Sequence, residues 1–205
     1  MIEILYQDND IIVCQKPSGA LSERSEDKLS LPAELERQEG CGELFTVHRL
    51  DREVSGVMVY AKNPSSAAKL SSAIAERRFH KEYLAVLEGE IDSEGGVLKD
   101  LLFRDARKNK TYVVERQRRG VKEASLEYSV IARGEGTTRV RIILHTGRTH
   151  QIRAQFASRG HSVVGDRRYG SKTKREGIAL YSHKLEFEHP STKERMSFEY
   201  TPTEY

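Results

Sequence analysis

The sequence predicts an α+β fold in which strands outnumber helices, and three stretches carry that expectation. Residues 81–89 alternate, with Tyr83, Ala85 and Leu87 on one face of a strand and Leu84, Val86 and Glu88 on the other. Leu126, Tyr128 and Val130 alternate in the same way, as do Val140, Ile142 and Leu144, and Arg133-Gly134-Glu135-Gly136 between them supplies a hairpin turn. Against these, Ala67, Leu70 and Ile74 recur at helical spacing behind Asn63-Pro64, an N-cap followed by proline at the first helical position.

In chain order, two short strands over residues 2–6 and 11–15 flank an Asp8-Asn9-Asp10 turn, and Lys16-Pro17-Ser18-Gly19 bends the chain sharply. Residues 22–43 mix charges with Pro32 and Gly40-Cys41-Gly42, which predicts a surface excursion carrying a short helix over 32–38. The helix behind Asn63 runs into Arg77-Arg78-Phe79-His80-Lys81, cations that suit the negative end of a helix dipole. Between Lys99 and Lys122 the chain carries Arg104, Arg107, Lys108, Lys110, Arg116, Arg118 and Arg119, against Asp100, Asp105 and Glu115. Apolar residues are interleaved, so this reads as strands joined by basic loops: either a solvated face or a surface for a sugar-phosphate backbone. A helix capped by Thr149 and ending at Gly160 turns Ile152 and Phe156 inward and leaves Arg153 off that side, three residues from His150, where it could project into a cleft. A last strand covers 195–200.

Composition bounds the function. The chain has 205 residues, 32% charged, with a net charge of only +3, too mild by itself to mark a nucleic-acid binder. No apolar run is long enough for a membrane span, and the N-terminal residues lack the features of a secretory signal. Cys14 and Cys41 stand far apart, which argues for reduced thiols in a cytoplasmic protein and against a zinc site. His145, His150, His161 and Asp166 lie within a short span but lack the spacing of metal ligands. Phosphate-binding glycine loops and a nucleophile elbow are absent from the sequence.

The stretch that organises the rest is His48-Arg49-Leu50-Asp51-Arg52-Glu53-Val54-Ser55-Gly56, leading into an aliphatic strand. It sets one carboxylate among groups able to carry positive charge, which favours the ionised form. An ionised carboxylate held beside a rigid strand suits a nucleophile or a base. The plainer reading is a surface ion-pair cluster.

This string resembles the catalytic motif of the RluA family of pseudouridine synthases: His-Arg-Leu-Asp, a variable pair, Ser-Gly and an aliphatic strand. Further motifs follow in the family's order. Lys-x-Tyr-x-Ala-x-x-x-Gly falls on Lys81, Tyr83, Ala85 and Gly89, and Thr-Gly-Arg-Thr-His-Gln-Ile-Arg on residues 146–153. Gly-His-x-x-x-Gly-Asp-x-x-Tyr-Gly falls on 160–170, with Ser162 where the family has proline, and Lys-Pro-x-Gly falls on 16–19.

The resemblance implies a mixed, mostly antiparallel β-sheet flanked by helices, with a central active-site cleft, as one catalytic domain over 1–205 lacking a separate N-terminal RNA-binding domain. It implies an isomerase that converts uridines of rRNA, tRNA or both without cofactor or metal. Asp51 inherits the catalytic role, Arg153 pairs with it, and Tyr83 stacks on the target uracil. Arg49 is the candidate to fill the stack vacated by the flipped base, while His48, Arg148, His150 and Lys16 are candidate RNA or substrate contacts. The implied partner is an RNA stem-loop, and the protein is expected to be a cytoplasmic monomer. A non-catalytic RNA-binding module and a metal-dependent nuclease are the competing classes.

Overall fold

The computed structural model describes residues 1–25 and 30–202. They gather into two compact units, one comprising Met1–Lys81 with the segment from Tyr181 onward, the other Glu82–Leu180.

The first unit is built on β4 (Ser55–Ala61), buried from Gly56 to its end. β1 (Ile4–Gln7) and β2 (Ile11–Lys16) form an antiparallel hairpin. Asp8 sets its turn by accepting from the N–H groups of Asp10 (2.8 Å) and Ile11 (2.9 Å) through one side-chain oxygen. β2 then lies antiparallel along one edge of β4, from Ile11 against Ala61 to Lys16 against Gly56.

The other edge of β4 is shared. β10 (Leu180–Glu188) pairs in parallel at Ser55 and Gly56, and β3 (Phe45–Thr46) pairs antiparallel at Tyr60 and Ala61. β11 (Arg195–Glu199) closes antiparallel on β10. α2 (Pro64–Ala75) begins as the sequence predicts, with Asn63 accepting from Ser66 N–H at 2.8 Å, and seats Leu70 in a core of Val57, Val59, Phe79, Leu185 and Phe187.

Two expectations fail in this unit. The basic cluster after α2 does not serve its dipole, because the helix stops at Ala75, Arg77 turns left-handed (φ 59°), and Arg78 pairs with Glu76 (2.7 Å) and Glu188 (3.0 Å). Residues 22–43 are not merely a surface excursion either. Positions 26–29 lie outside the described residues, but α1 (Leu31–Glu39) drives Leu31 and Leu35 completely out of water. A single turn of apolar residues suffices for this, and the surrounding charges mask it in the sequence.

The second unit is an antiparallel sheet ordered β5-β9-β8-β6-β7, comprising β5 (His80–Glu88), β6 (Gly95–Asp105), β7 (Lys110–Val114), β8 (Val121–Gly134) and β9 (Thr137–Leu144). Glu135 and Gly136 both have positive φ (53° and 69°), the twist that a two-residue hairpin turn requires. α3 (Gln151–Ala157) covers one face, packing Ala154 with Leu102, Ala124 and Tyr169. It is shorter than predicted and not amphipathic, being buried continuously from Gln151 to Phe156. His150, not Thr149, takes the cap position, while the carbonyl of Thr149 accepts from the Thr111 hydroxyl at 2.9 Å. The observed mixture of antiparallel and parallel pairing with few helices matches the α+β expectation.

Candidate active site

In the first unit, the loop carrying Asp51 is fastened on both sides of that residue. Before it, the Ser22 hydroxyl donates to the carbonyl of Leu50 (2.8 Å) and accepts from its N–H (3.0 Å). After it, Val54 N–H closes a turn on the carbonyl of Asp51 (3.0 Å), and Gly19 and Arg52 exchange hydrogen bonds of 2.8 and 2.9 Å. Asp51 itself is half-buried. A carboxylate on so constrained a backbone is positioned before any substrate arrives, which is what an oriented nucleophile or base needs.

Lys16 is the largest part of that fastening. It is completely buried, and its ammonium donates to the carbonyls of Pro17 (3.0 Å), Arg52 (3.0 Å) and Val54 (2.7 Å). Burial lowers its pKa to about 8, and Glu53 and Asp51 act in the opposite sense. With its ammonium donating to three main-chain carbonyls, Lys16 organises the loop that carries Asp51.

The cations that flank Asp51 in sequence are engaged elsewhere. Arg49 pairs with Glu23 at 2.8 Å, both half-exposed. His48 is buried, and its Nε2 accepts from Val59 N–H at 3.1 Å. That places the imidazole on the stretch of β4 edge between β10 and β3, where a main-chain N–H would otherwise lack an acceptor. Nearby, Ser182 donates its hydroxyl to the Val57 carbonyl (3.0 Å). Burial holds the pKa of His48 well below the usual histidine range, so the ring is neutral. Gly56 is demanded by the same edge: at φ 119° a Cβ would lie 2.1 Å from the carbonyl oxygen of Ser182.

In the second unit, Tyr83 is buried in β5 opposite Ile142. Arg153, 2% exposed, binds Asp166 side-on through Nε (2.6 Å) and Nη2 (2.9 Å), and its guanidinium lies 5.0 Å from the ring of Tyr169. The Tyr169 hydroxyl accepts from Thr111 N–H (2.8 Å) and meets Nδ1 of His150 at 3.0 Å. His150 is thus a buried member of the network around Arg153, in a left-handed conformation (φ 53°) that is rare outside glycine and tends to mark functional segments. Arg148 is exposed and donates to the carbonyl of Glu123 at 2.9 Å. Arg153 is buried, with Asp166 and Tyr169 against its guanidinium.

Asp166 and Tyr169 are visible in the sequence as motif residues, yet their work on Arg153 is not, because nothing local links them across such a separation, 13 positions for Asp166. Ser22 leaves no signal at all. The histidines near Asp166 do not gather as metal ligands: His150 meets Tyr169, and His161 meets the Glu88 carbonyl (3.0 Å). Among the described residues, the group with metal-ligand proximity is Asp8, Asp10 and His189. There the N–H groups of Ser191 and Thr192 occupy Nδ1 of His189, which leaves its Nε2 as donor to Asp8 (2.8 Å).

Residues 10–158 match the RNA pseudouridylate synthase family. An RNA pseudouridine synthase of Aquifex aeolicus is 35% identical over 97% of this chain and 68% of its own length, so the chain spans about two thirds of that relative. The dual-specificity RNA pseudouridine synthase RluA of Vibrio vulnificus is 33% identical over 93% of this chain and 79% of its own length. Among solved structures, human RNA pseudouridylate synthase domain containing 1 superposes with a TM-score of 0.83 at 26% identity, covering 98% of this chain and 84% of that one. A fastened Asp51 loop, an enclosed Arg153 and a family match across most of the chain lead to one conclusion: this chain belongs to the RNA pseudouridine synthase family.

Proposed function

We propose that the protein isomerises particular uridines of rRNA, tRNA or both to pseudouridine, with Asp51 as the catalytic carboxylate. The observation that carries the reading is the constraint on the Asp51 loop, where Ser22, Lys16 and Gly19 hold the main chain on either side of a half-buried acid.

In the proposed reaction the N1–C1′ glycosidic bond of the uridine breaks, the uracil turns, and C5 bonds to C1′. C5 gives up its proton to solvent and N1 takes one up, so substrate and product are isomers and no redox partner or cofactor is needed. The target nucleotide leaves its stack at a cost of about a few kcal/mol, with Arg49 filling the gap. Asp51 acts at the ribose as nucleophile or base. Arg153 is its guanidinium partner, and Tyr83 stacks on the uracil. RNA backbone lies along the cations between Arg104 and Lys122. Among the described residues no helix is long and apolar enough to cross a membrane.

The test is release of tritium from C5-labelled uridine in RNA. Wild-type protein releases it, while Asp51→Asn does not yet still binds RNA. Equal release from both proteins removes Asp51 from the reaction. Binding without release by wild type favours a non-catalytic RNA-binding module, and strand scission abolished by chelator favours a nuclease.

A further inference from the structure

Two lysines of the first unit have their ammonium groups withdrawn from water, and they are not alike. Burial lowers the pKa of both Lys16 and Lys81 to about 8. Lys16 is compensated by three carbonyl acceptors, with Asp51 and Glu53 in electrostatic range. Lys81 has no such compensation. Among the described residues no carboxylate, carbonyl or hydroxyl takes its ammonium, which lies 5.3 Å from the centre of the Phe79 ring. Its fall is caused by burial, with no opposing acid. The residue as a whole is only half-buried, which leaves an approach to it from outside.

Phe187 stacks nearly flat on Phe79, with ring centres 5.1 Å apart. The ammonium of Lys81 and the tilted imidazole of His48, 5.4 Å away, therefore share the rest of that ring. His48 brings a second donor without an acceptor. Because its Nε2 accepts from Val59, the proton sits on Nδ1, and that atom is sealed from solvent with no partner among the described residues. A desolvated cation beside a buried orphan N–H is costly and rare. What the pair lacks is an acceptor, and a negatively charged one binds a buried ammonium more strongly than a neutral carbonyl does. Among the described residues none reaches Lys81, and of the groups on RNA phosphate is the one that carries negative charge.

We propose that Lys81 receives a phosphate oxygen of the substrate RNA, two residues before Tyr83 in β5, with His48 bordering the same site. The proposal rests on the RNA-isomerase reading above. Lys81→Met keeps the aliphatic stem on Phe79 and removes the charge, whereas Lys81→Arg keeps a cation.

Both variants are made in an Asp51→Asn parent, and their affinity for tRNA and large-subunit rRNA purified from cells lacking the gene is measured across salt concentrations. The Met variant is expected to bind about 3- to 10-fold more weakly at low salt. Its log-affinity against log-salt slope should be shallower by about 0.7–0.9, the share of one neutralised phosphate, and Arg should restore both. Parental affinity and slope in the Met variant overturn the proposal. So does weaker binding at an unchanged slope, which is the mark of structural damage. If wild type releases no tritium, or the parent does not bind these RNAs, the isomerase reading fails first; if both hold and Lys81→Met behaves as the parent, the Lys81 assignment alone falls.

Discussion

Arg153 and Asp166 meet in a side-on pair, 2.6 Å and 2.9 Å, with both side chains at most 2% exposed. The pair is neutral as a whole, so the guanidinium has direction more than net charge to offer any further partner. Removing the acid takes two short charge-assisted bonds from a buried guanidinium. Asp166→Ala is therefore expected to lower unfolding stability by about 3–5 kcal/mol. Replacing both residues, as in Arg153→Met with Asp166→Leu, should cost less than that single change. Urea denaturation reads both effects, and a wild-type midpoint for Asp166→Ala would refute the account.

Gly56 admits no side chain. Its φ of 119° is a strained region for other residues, and a Cβ would stand 2.1 Å from the Ser182 carbonyl oxygen where β4 and β10 pair. Gly56→Ala is expected to cost about 3 kcal/mol or more, because main chain cannot step aside as a flexible side chain can. Gly42→Ala, which meets nothing within 4 Å, is the control and should stay within about 0.5 kcal/mol. Thermal or urea unfolding of the two variants decides the matter.

Gly56 also marks what a sequence discloses. Ser-Gly before an aliphatic run is readable as a bend, and alternation in 126–144 announces the β8–β9 hairpin with its positive-φ turn. Asn63-Pro64 announces α2 and its cap. These are local signals. Lys16 is legible as a turn residue, but its three carbonyl partners lie as far away as Val54 and depend on tertiary closure. In sequence His48 resembles a cation near Asp51, whereas in the fold burial makes it neutral and turns it toward Val59. Helical periodicity sets Arg153 off the side of Ile152 and Phe156, but it does not disclose that the helix is buried continuously from Gln151 to Phe156.

The state of His48 has a pH signature. Its folded pKa lies well below 6.5, while in the unfolded chain it is near 6.5. Below about pH 6.5 the unfolded chain therefore binds a proton that the folded one refuses, and stability falls as pH falls. The contribution is whole above that pH and declines at about 1.4 kcal/mol per pH unit beneath it. Unfolding measured between pH 7 and 5 should show this slope in wild type and lose it in His48→Gln. The window avoids Asp10, whose pKa of about 2 reflects hydrogen bonds from Ser66, Ser191 and Asn63, and whose contribution disappears only in stronger acid. A His48→Gln protein with the same slope between pH 7 and 5 would assign it to another group.

Ion pairing is distributed unevenly over the molecule, and this sets the last expectation. Arg24, Arg78, Arg133, Arg141, Arg159 and Arg195 are each matched to a glutamate or aspartate. Among the described residues, Arg116, Arg118 and Arg119, on the loop between β7 and β8, have no acidic partner, although Arg118 lies 4.8 Å from the Phe103 ring. Their side chains are exposed, so pairing them with phosphate requires little desolvation and releases counterions. Replacing all three by glutamine should weaken RNA binding uniformly across sequences and flatten its salt dependence by about 0.7–0.9 for each phosphate left without its arginine, with the unfolding midpoint unchanged. Arg24→Gln, which breaks a pair with Glu36 in the other unit, should leave the slope alone. Filter binding between low and physiological salt separates the two, and a triple variant with the wild-type slope would remove this loop from the RNA surface.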